Sequence, residues 1–219
     1  MKIIKVLNLY AGLGGNRKHW QNVNVTAVEQ NKKIADVYRK LYPLDHIIIA
    51  DAHQYLIEHY KEYDFIWSSP PCQTHSRMMY LAEKTAPRFP ELSLYEEIIF
   101  LKKFFPGSFV IENVNPYYKP LIKPSTHIGH HLFWSNFDIL PFKAPHLTGF
   151  LNRDNSSGSE ELKKWLGIFY PGNLYINNSH DPCQVLHNCV HPNIGLHVFN
   201  ESLRTGLFKS LDLTQKKTI

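Results

Sequence analysis

Five segments of this 219-residue chain read as strands, and each stops at a residue with chemical potential. The apolar run at 3–9 stops at the glycine turn Tyr10-Ala11-Gly12-Leu13-Gly14-Gly15. The run at 23–28 stops at Glu29 and that at 46–50 at Asp51. Residues 64–68 run into Ser69-Pro70-Pro71-Cys72, and 108–111 end on Glu112-Asn113-Val114. Helix-like stretches separate them: a short one from the glycine turn to about Trp20, and one capped by Asn31 through Tyr42, stopped by Pro43. Two more follow, from about His53 to Tyr60 and over 94–104. Strand and helix in alternation predict βαβ units and a parallel sheet, whose carboxyl ends share one edge where ligands bind. The expected fold class is therefore α/β, and that sheet edge is the expected site.

Composition narrows the class further. The chain is 43% hydrophobic and 20% charged, which is globular rather than disordered or fibrous. No stretch approaches the ~20 apolar residues of a membrane span, and the run at 3–13, interrupted by Lys5 and Asn8, reads as a strand rather than a signal peptide. Three cysteines exclude a disulfide-stapled secreted fold and suit a reducing cytoplasm. Lysine and arginine outnumber aspartate and glutamate, 24 to 19, which permits a polyanionic partner without demanding one. Beyond Pro116, residues 132–139 alternate like a strand and 141–145 read as a loop. Residues 152–159 read as a polar linker and 160–168 as a short amphipathic helix. A last helix over 191–207, entered through Pro192, is expected to pack back on the sheet.

The edge residues suggest a chemistry. Glycines after a strand let the backbone approach a ligand. Glu29 can accept two ribose hydroxyls and Asp51 an adenine amino group, so the ligand contains adenosine; S-adenosylmethionine fits. Cys72, stiffened by two prolines, is a candidate nucleophile, which needs the thiolate form and nearby positive charge; His75 and Arg77 are candidates to supply it. Glu112, partly removed from water, can act as general acid.

Asn8-Leu-Tyr-Ala-Gly-Leu-Gly-Gly15, Val28-Glu-Gln-Asn31, Ala50-Asp-Ala52, Ser69-Pro-Pro-Cys-Gln73 and Ile111-Glu-Asn-Val114 occur in the order found in DNA (cytosine-5) methyltransferases. The chain resembles that family over about its first 115 residues. The resemblance implies a Rossmann-like S-adenosylmethionine-dependent methyltransferase fold, a mainly parallel sheet flanked by helices, with a small C-terminal lobe. It implies a cofactor site of Tyr10, Ala11, Gly12, Gly14, Gly15, Glu29, Gln30, Asp51, Ala52, Pro71, Leu94 and Asn188. Within that site the glycines serve the methionine side. Cys72 is implied to add to C6 of cytosine while Glu112 stabilises the adduct. The methyl group then passes to C5, which requires a base flipped out of the duplex or already single-stranded.

The second half departs from the family. His131 stands where the family's last arginine of a Gln-x-Arg-x-Arg element is expected, and is taken as an active-site donor. His187 replaces a glycine beside Asn188. Only 42 positions, 141–182, remain for target recognition, with four basic and four acidic residues. DNA contact is instead expected from Gln73, Arg77, Lys84 and Arg88, and from Asn113, Tyr117 and Lys119, with relaxed or very short sequence specificity. The expected division is 1–140 catalytic, 141–182 a reduced recognition lobe, and 183–219 packing back on the catalytic part. His180, Cys183, His187, Cys189 and His191 match no usual zinc spacing, so no metal is expected. The expected partner is DNA, with no membrane, for a monomer in the cytoplasm of a bacterium or a phage-infected cell. Two other readings stand beside this one: an RNA cytosine-5 methyltransferase and a silent cofactor-fold binding protein.

Overall fold

The computed structural model describes residues 3–72, 74–75, 90–147, 156–176 and 180–215. Its elements are β1 (Ile4–Leu9), β2 (Val23–Val28), α1 (Lys32–Leu41), β3 (His46–Ile48), α2 (Ala52–His59), β4 (Phe65–Ser68), α3 (Ser93–Phe104) and β5 (Ser108–Val114). There follow β6 (Thr126–Ile128), β7 (His131–Ser135), α4 (Ser156–Leu166), α5 (Gln184–His187) and α6 (Pro192–Gln215). They form a seven-stranded sheet in the order β3-β2-β1-β4-β5-β7-β6. The first five strands pair parallel, β7 runs antiparallel to β5, and β6 antiparallel to β7. The α/β class and mainly parallel sheet are thus as expected. The strand order reverses between β1 and β4, the switch point at which open α/β sheets leave a crevice.

Strand parity sorts the apolar residues into two layers. Val6, Val25, Phe65, Trp67, Val110 and Phe133 point to one face, where Trp20 and Ile194, Val198 and Phe199 of α6 cover them. Leu7, Leu9, Ile66, Phe109, Ile111 and Trp134 point to the other, under Leu56 of α2 and Leu94, Ile98 and Leu101 of α3. Because both faces are covered, the central strands read as continuous apolar runs rather than alternating ones. Each large side chain buried this way contributes about 1.5–3 kcal/mol relative to exposure. A third cluster, in which Leu162, Leu166, Ile168, Leu174, Val185 and Leu186 pack on Leu13 and Ile34, lays the segments 156–176 and 180–190 against α1 and the glycine turn.

Several local expectations change. No helix follows the glycine turn: residues 14–20 form successive turns, with Arg17 N–H donating to Gly14 O and Trp20 N–H to Arg17 O. Arg17 holds them by a local bond to Trp20 O and a two-pronged pair, at 2.8 and 2.9 Å, to Asp45, which lies 28 positions away. The strand β5 continues through Glu112-Asn113-Val114, since the antiparallel partner β7 pairs that far. The β6–β7 hairpin turns at Gly129, whose φ of +62° suits glycine, and β7 ends at Ser135 rather than 139. Helix α4 begins at Ser156, inside the stretch expected as a linker. Among the described residues no helix is long and apolar enough to cross a membrane.

Candidate active site

The crevice at the switch point is a cavity of about 450 Å³, within the range of small-molecule sites. Its walls are the loops that leave the carboxyl ends of the central strands. From β1 come Tyr10, Ala11, Gly12 and Gly15; from β2, Glu29 and Gln30; from β3, Asp51 and Ala52; from β4, Pro71 and Cys72. From β5 and β7 come Glu112, Asn113 and His131, and from the far C-terminal part Asn188. One cavity therefore joins the residues expected to hold an adenosine ligand to those expected to do chemistry.

At one end, Glu29 ends β2 and turns its carboxylate back over the glycine turn. Oε2 accepts from Gly12 N at 3.0 Å and Oε1 from Asn31 N at 2.7 Å. These bonds fix the carboxylate's orientation, and a carboxylate has further lone pairs for ligand hydroxyls. Burial pushes the Glu29 pKa up, against the two backbone N–H groups that lower it. Asp51 caps α2, Oδ1 accepting from Gln54 N at 2.8 Å.

The three glycines have different reasons to be glycine. At Gly12, φ is +54° and an added Cβ would meet nothing nearer than Tyr10 O at 4.0 Å, so the space above it is open cavity. At Gly14 a Cβ would strike Tyr42 at 2.5 Å, and at Gly15 the carbonyl of Val190 at 2.4 Å. Only Gly12 leaves room for a ligand; Gly14 does not line the cavity and serves packing.

At the other end, Cys72 follows the Pro70-Pro71 corner, and its carbonyl accepts from His75 N at 3.0 Å in a tight turn. Burial and then the charge of Glu112 push the Cys72 thiol up to about 11. His75 does not supply the expected positive charge: its imidazole is buried, which pushes its pKa down, and Nδ1 is engaged by the Tyr118 hydroxyl at 2.5 Å. Glu112 is buried on β5, and His131 Nδ1 lies 2.7 Å from its Oε1. Register explains the contact: Glu112 pairs with Phe133 and Val114 with His131, so His131 is the diagonal neighbour of Glu112 on one face.

One further expectation is corrected. Leu94 does not line the cavity but is buried among Leu7, Leu9 and Ile98. Asn113 lines the cavity, and its side-chain amide donates to Pro70 O at 3.0 Å, tying β5 to the Cys72 corner. Tyr117 and Lys119 lie on the segment after β5, outside the cavity, with Tyr117 N–H donating to His75 O at 3.2 Å. Gln73, Arg77, Lys84 and Arg88 lie outside the described residues. Ile176 and Val185 were not legible as cavity residues in the sequence, since only the packing of 156–176 and 180–190 on α1 brings them there; His187 lines the wall beside Asn188.

A switch-point crevice thus holds, in one cavity, an oriented carboxylate, an open glycine turn and a cysteine whose thiol is pushed up by burial and a nearby acid. Residues 4–121, more than half of the chain, match the family of C-5 cytosine-specific DNA methylases, and the chain belongs to that family. Its cofactor is S-adenosylmethionine, which Gly12 and Glu29 have the space and acceptors to hold. A mouse tRNA (cytosine(38)-C(5))-methyltransferase is 27% identical over 121 residues, 52% of this chain and 29% of that protein. The chain thus spans under a third of that relative's length. Among solved structures, Spodoptera frugiperda DNMT2 is 25% identical with a TM-score of 0.36, over 51% of this chain and 35% of the other. A SAM-dependent methyltransferase from Agrobacterium tumefaciens is 17% identical with a TM-score of 0.39, over 53% and 40%.

Proposed function

We propose that this protein transfers a methyl group from S-adenosylmethionine to C5 of cytosine in DNA through a covalent Cys72 adduct. The observation that carries this reading is the single cavity running from Glu29 and Gly12 to Cys72, Glu112 and His131. Bound at the Glu29 end, the cofactor supplies an electrophilic methyl group on a sulfonium. Cys72 gives its proton to solvent and adds through sulfur to C6, and the C5–C6 π pair becomes available at C5. Glu112, within hydrogen-bond distance of His131 Nδ1, protonates or hydrogen-bonds N3 and so neutralises the charge that addition builds on the ring. The C5 pair would take the methyl group as the sulfonium S–CH3 bond breaks to leave a neutral thioether; solvent then takes the C5 proton, its electron pair re-forms C5–C6, and Cys72 departs as thiolate. His131 takes the place of the family's arginine, its Nδ1 lying 2.7 Å from Glu112 Oε1.

The segments 156–176 and 180–190 pack on Leu13 and Ile34 at the cofactor end. They contribute Ile176, Val185 and His187 to the cavity there. That position supports a reduced role in reading bases, and with it relaxed or short specificity. A second reading keeps the chemistry and changes the polymer: the likeness to the mouse enzyme named for tRNA favours RNA.

Covalent trapping separates these readings. Native protein is incubated with S-adenosylmethionine and either 5-fluorocytosine DNA or 5-fluorocytosine RNA, since fluorine at C5 blocks the final elimination. A denaturant-stable adduct with DNA that Cys72→Ser abolishes is the expected result. An adduct with RNA alone transfers the reading to RNA, and an adduct with neither leaves a silent binding protein.

A further inference from the structure

Glu97 sits where its helix should carry a hydrocarbon. On α3, Leu94, Ile98 and Leu101 form the buried stripe, and Glu97 falls in the middle of it with no exposed surface. A carboxylate in such a place costs more than an aliphatic side chain unless its lone pairs are answered. Here they are. Tyr10 Oη donates to Oε1 at 2.7 Å, Ser68 Oγ donates to Oε2 at 2.6 Å, and His53 Nδ1 lies 3.2 Å from Oε1.

Of the three partners Tyr10 lines the cavity itself, while Ser68 and His53 each adjoin a lining residue, Ser69 and Ala52. Tyr10 opens the glycine turn, Ser68 is the last residue of β4 and stands four positions before Cys72, and His53 lies in the first turn of α2, two positions after Asp51. Tyr10 also holds a φ of +54°, uncommon for a residue with a Cβ. The bond from its hydroxyl anchors the far end of the ring while the backbone turns toward Gly12. Glu97 itself does not line the cavity.

We propose that Glu97 is a positioning residue that sets both halves of the site. Through Tyr10 it holds the glycine turn for the cofactor, and through Ser68 it holds the Pro70-Pro71-Cys72 corner for the nucleophile. The proposal rests on the reading that this cavity binds S-adenosylmethionine and that Cys72 attacks the base.

The two arms separate by measurement. Calorimetric affinity for S-adenosylhomocysteine and the single-turnover methylation rate at saturating cofactor are compared for native protein, Tyr10→Phe, Ser68→Ala and Glu97→Gln. Circular dichroism checks that each variant folds. Tyr10→Phe weakens S-adenosylhomocysteine about tenfold, the scale of one lost bond to a charged group. Ser68→Ala lowers the single-turnover rate by a similar factor and leaves that affinity within about twofold of native. Glu97→Gln shows both defects, and adding Tyr10→Phe to it weakens the affinity no further. The proposal is overturned if Tyr10→Phe and Ser68→Ala both stay within about twofold of native on both measures, or if the defects of Tyr10→Phe and Glu97→Gln multiply. Should Glu97→Gln not fold, the two single-group variants decide alone. Native protein that binds no S-adenosylhomocysteine overturns the cofactor reading and this proposal with it, a result distinct from native binding that the variants leave unchanged.

Discussion

His131 Nδ1 and Glu112 Oε1 are 2.7 Å apart across two antiparallel strands, joining the only buried carboxylate on β5 to a titratable donor on β7. Within hydrogen-bond distance the pair shares a proton, His131 Nδ1–H donating to the carboxylate or the acid donating to Nδ1. Removing the imidazole leaves Glu112 buried without that partner. His131→Ala is expected to slow methyl transfer about 100-fold, the low end of the range for acid–base groups. His131→Arg, which keeps an N–H donor toward the carboxylate, is expected to retain activity. Initial rates check both, and an alanine variant at native rate sinks the assignment.

The Cys72 thiol, pushed up to about 11, should reveal itself by its reactivity in the free protein. A raised thiol pKa delays the thiolate, so alkylation by iodoacetamide should keep climbing about tenfold per pH unit from 8 to 10 rather than levelling near 8.5 as for a free cysteine. Peptide mass mapping distinguishes Cys72 from Cys189, whose buried thiol is pushed up to about 12. A plateau below pH 9 at Cys72 contradicts the electrostatics described.

Burial raises the Glu29 pKa, so acid reaches this carboxylate sooner than an exposed one. The charged form accepts ligand hydroxyls and is fully present well above the raised pKa. Affinity for S-adenosylhomocysteine should therefore hold at neutral pH and fall as the pH drops toward 5. Glu29→Gln should weaken it about 10–100-fold, the scale of a charge-assisted bond. It should also flatten the acid limb of the titration; a variant with native affinity across that range would refute the role.

The glycine turn offers a test of stability against function. Gly12→Ala meets no atom within 4 Å but keeps a φ of +54°, which costs about 1–2 kcal/mol. For a chain of this size that lowers Tm by about 2–8 °C, and the methyl group additionally crowds the cofactor. Gly15→Ala drives a Cβ to 2.4 Å from Val190 O and should destabilise more, through the contact between the turn and the C-terminal part. Thermal melts with and without S-adenosylhomocysteine check the order; equal melting losses would show that the Val190 contact yields without cost.

The alternation of strand and helix and the special residues at strand ends were legible because they are local. Apolar runs buried on both faces, Asn31 as a cap and glycines before a turn each act over a few residues, and they placed Gly12, Glu29, Asp51, Cys72 and Glu112 on one edge. Only the tertiary structure could decide what depends on contacts between distant segments. Helix periodicity on α3 marks Leu94 as apolar but cannot say that it faces the core rather than the cavity, nor that Glu97 beside it meets Tyr10 and Ser68. The turns at 14–20 read as a helix because Asp45, which holds Arg17, lies 28 positions away. The bond from His131 to Glu112 depends on the register of a β-pair whose partners are 19 residues apart. Sequence patterning reports which residues a segment can bury; which side chain each then meets is set by packing and register, and a one-residue slip in either changes the partner.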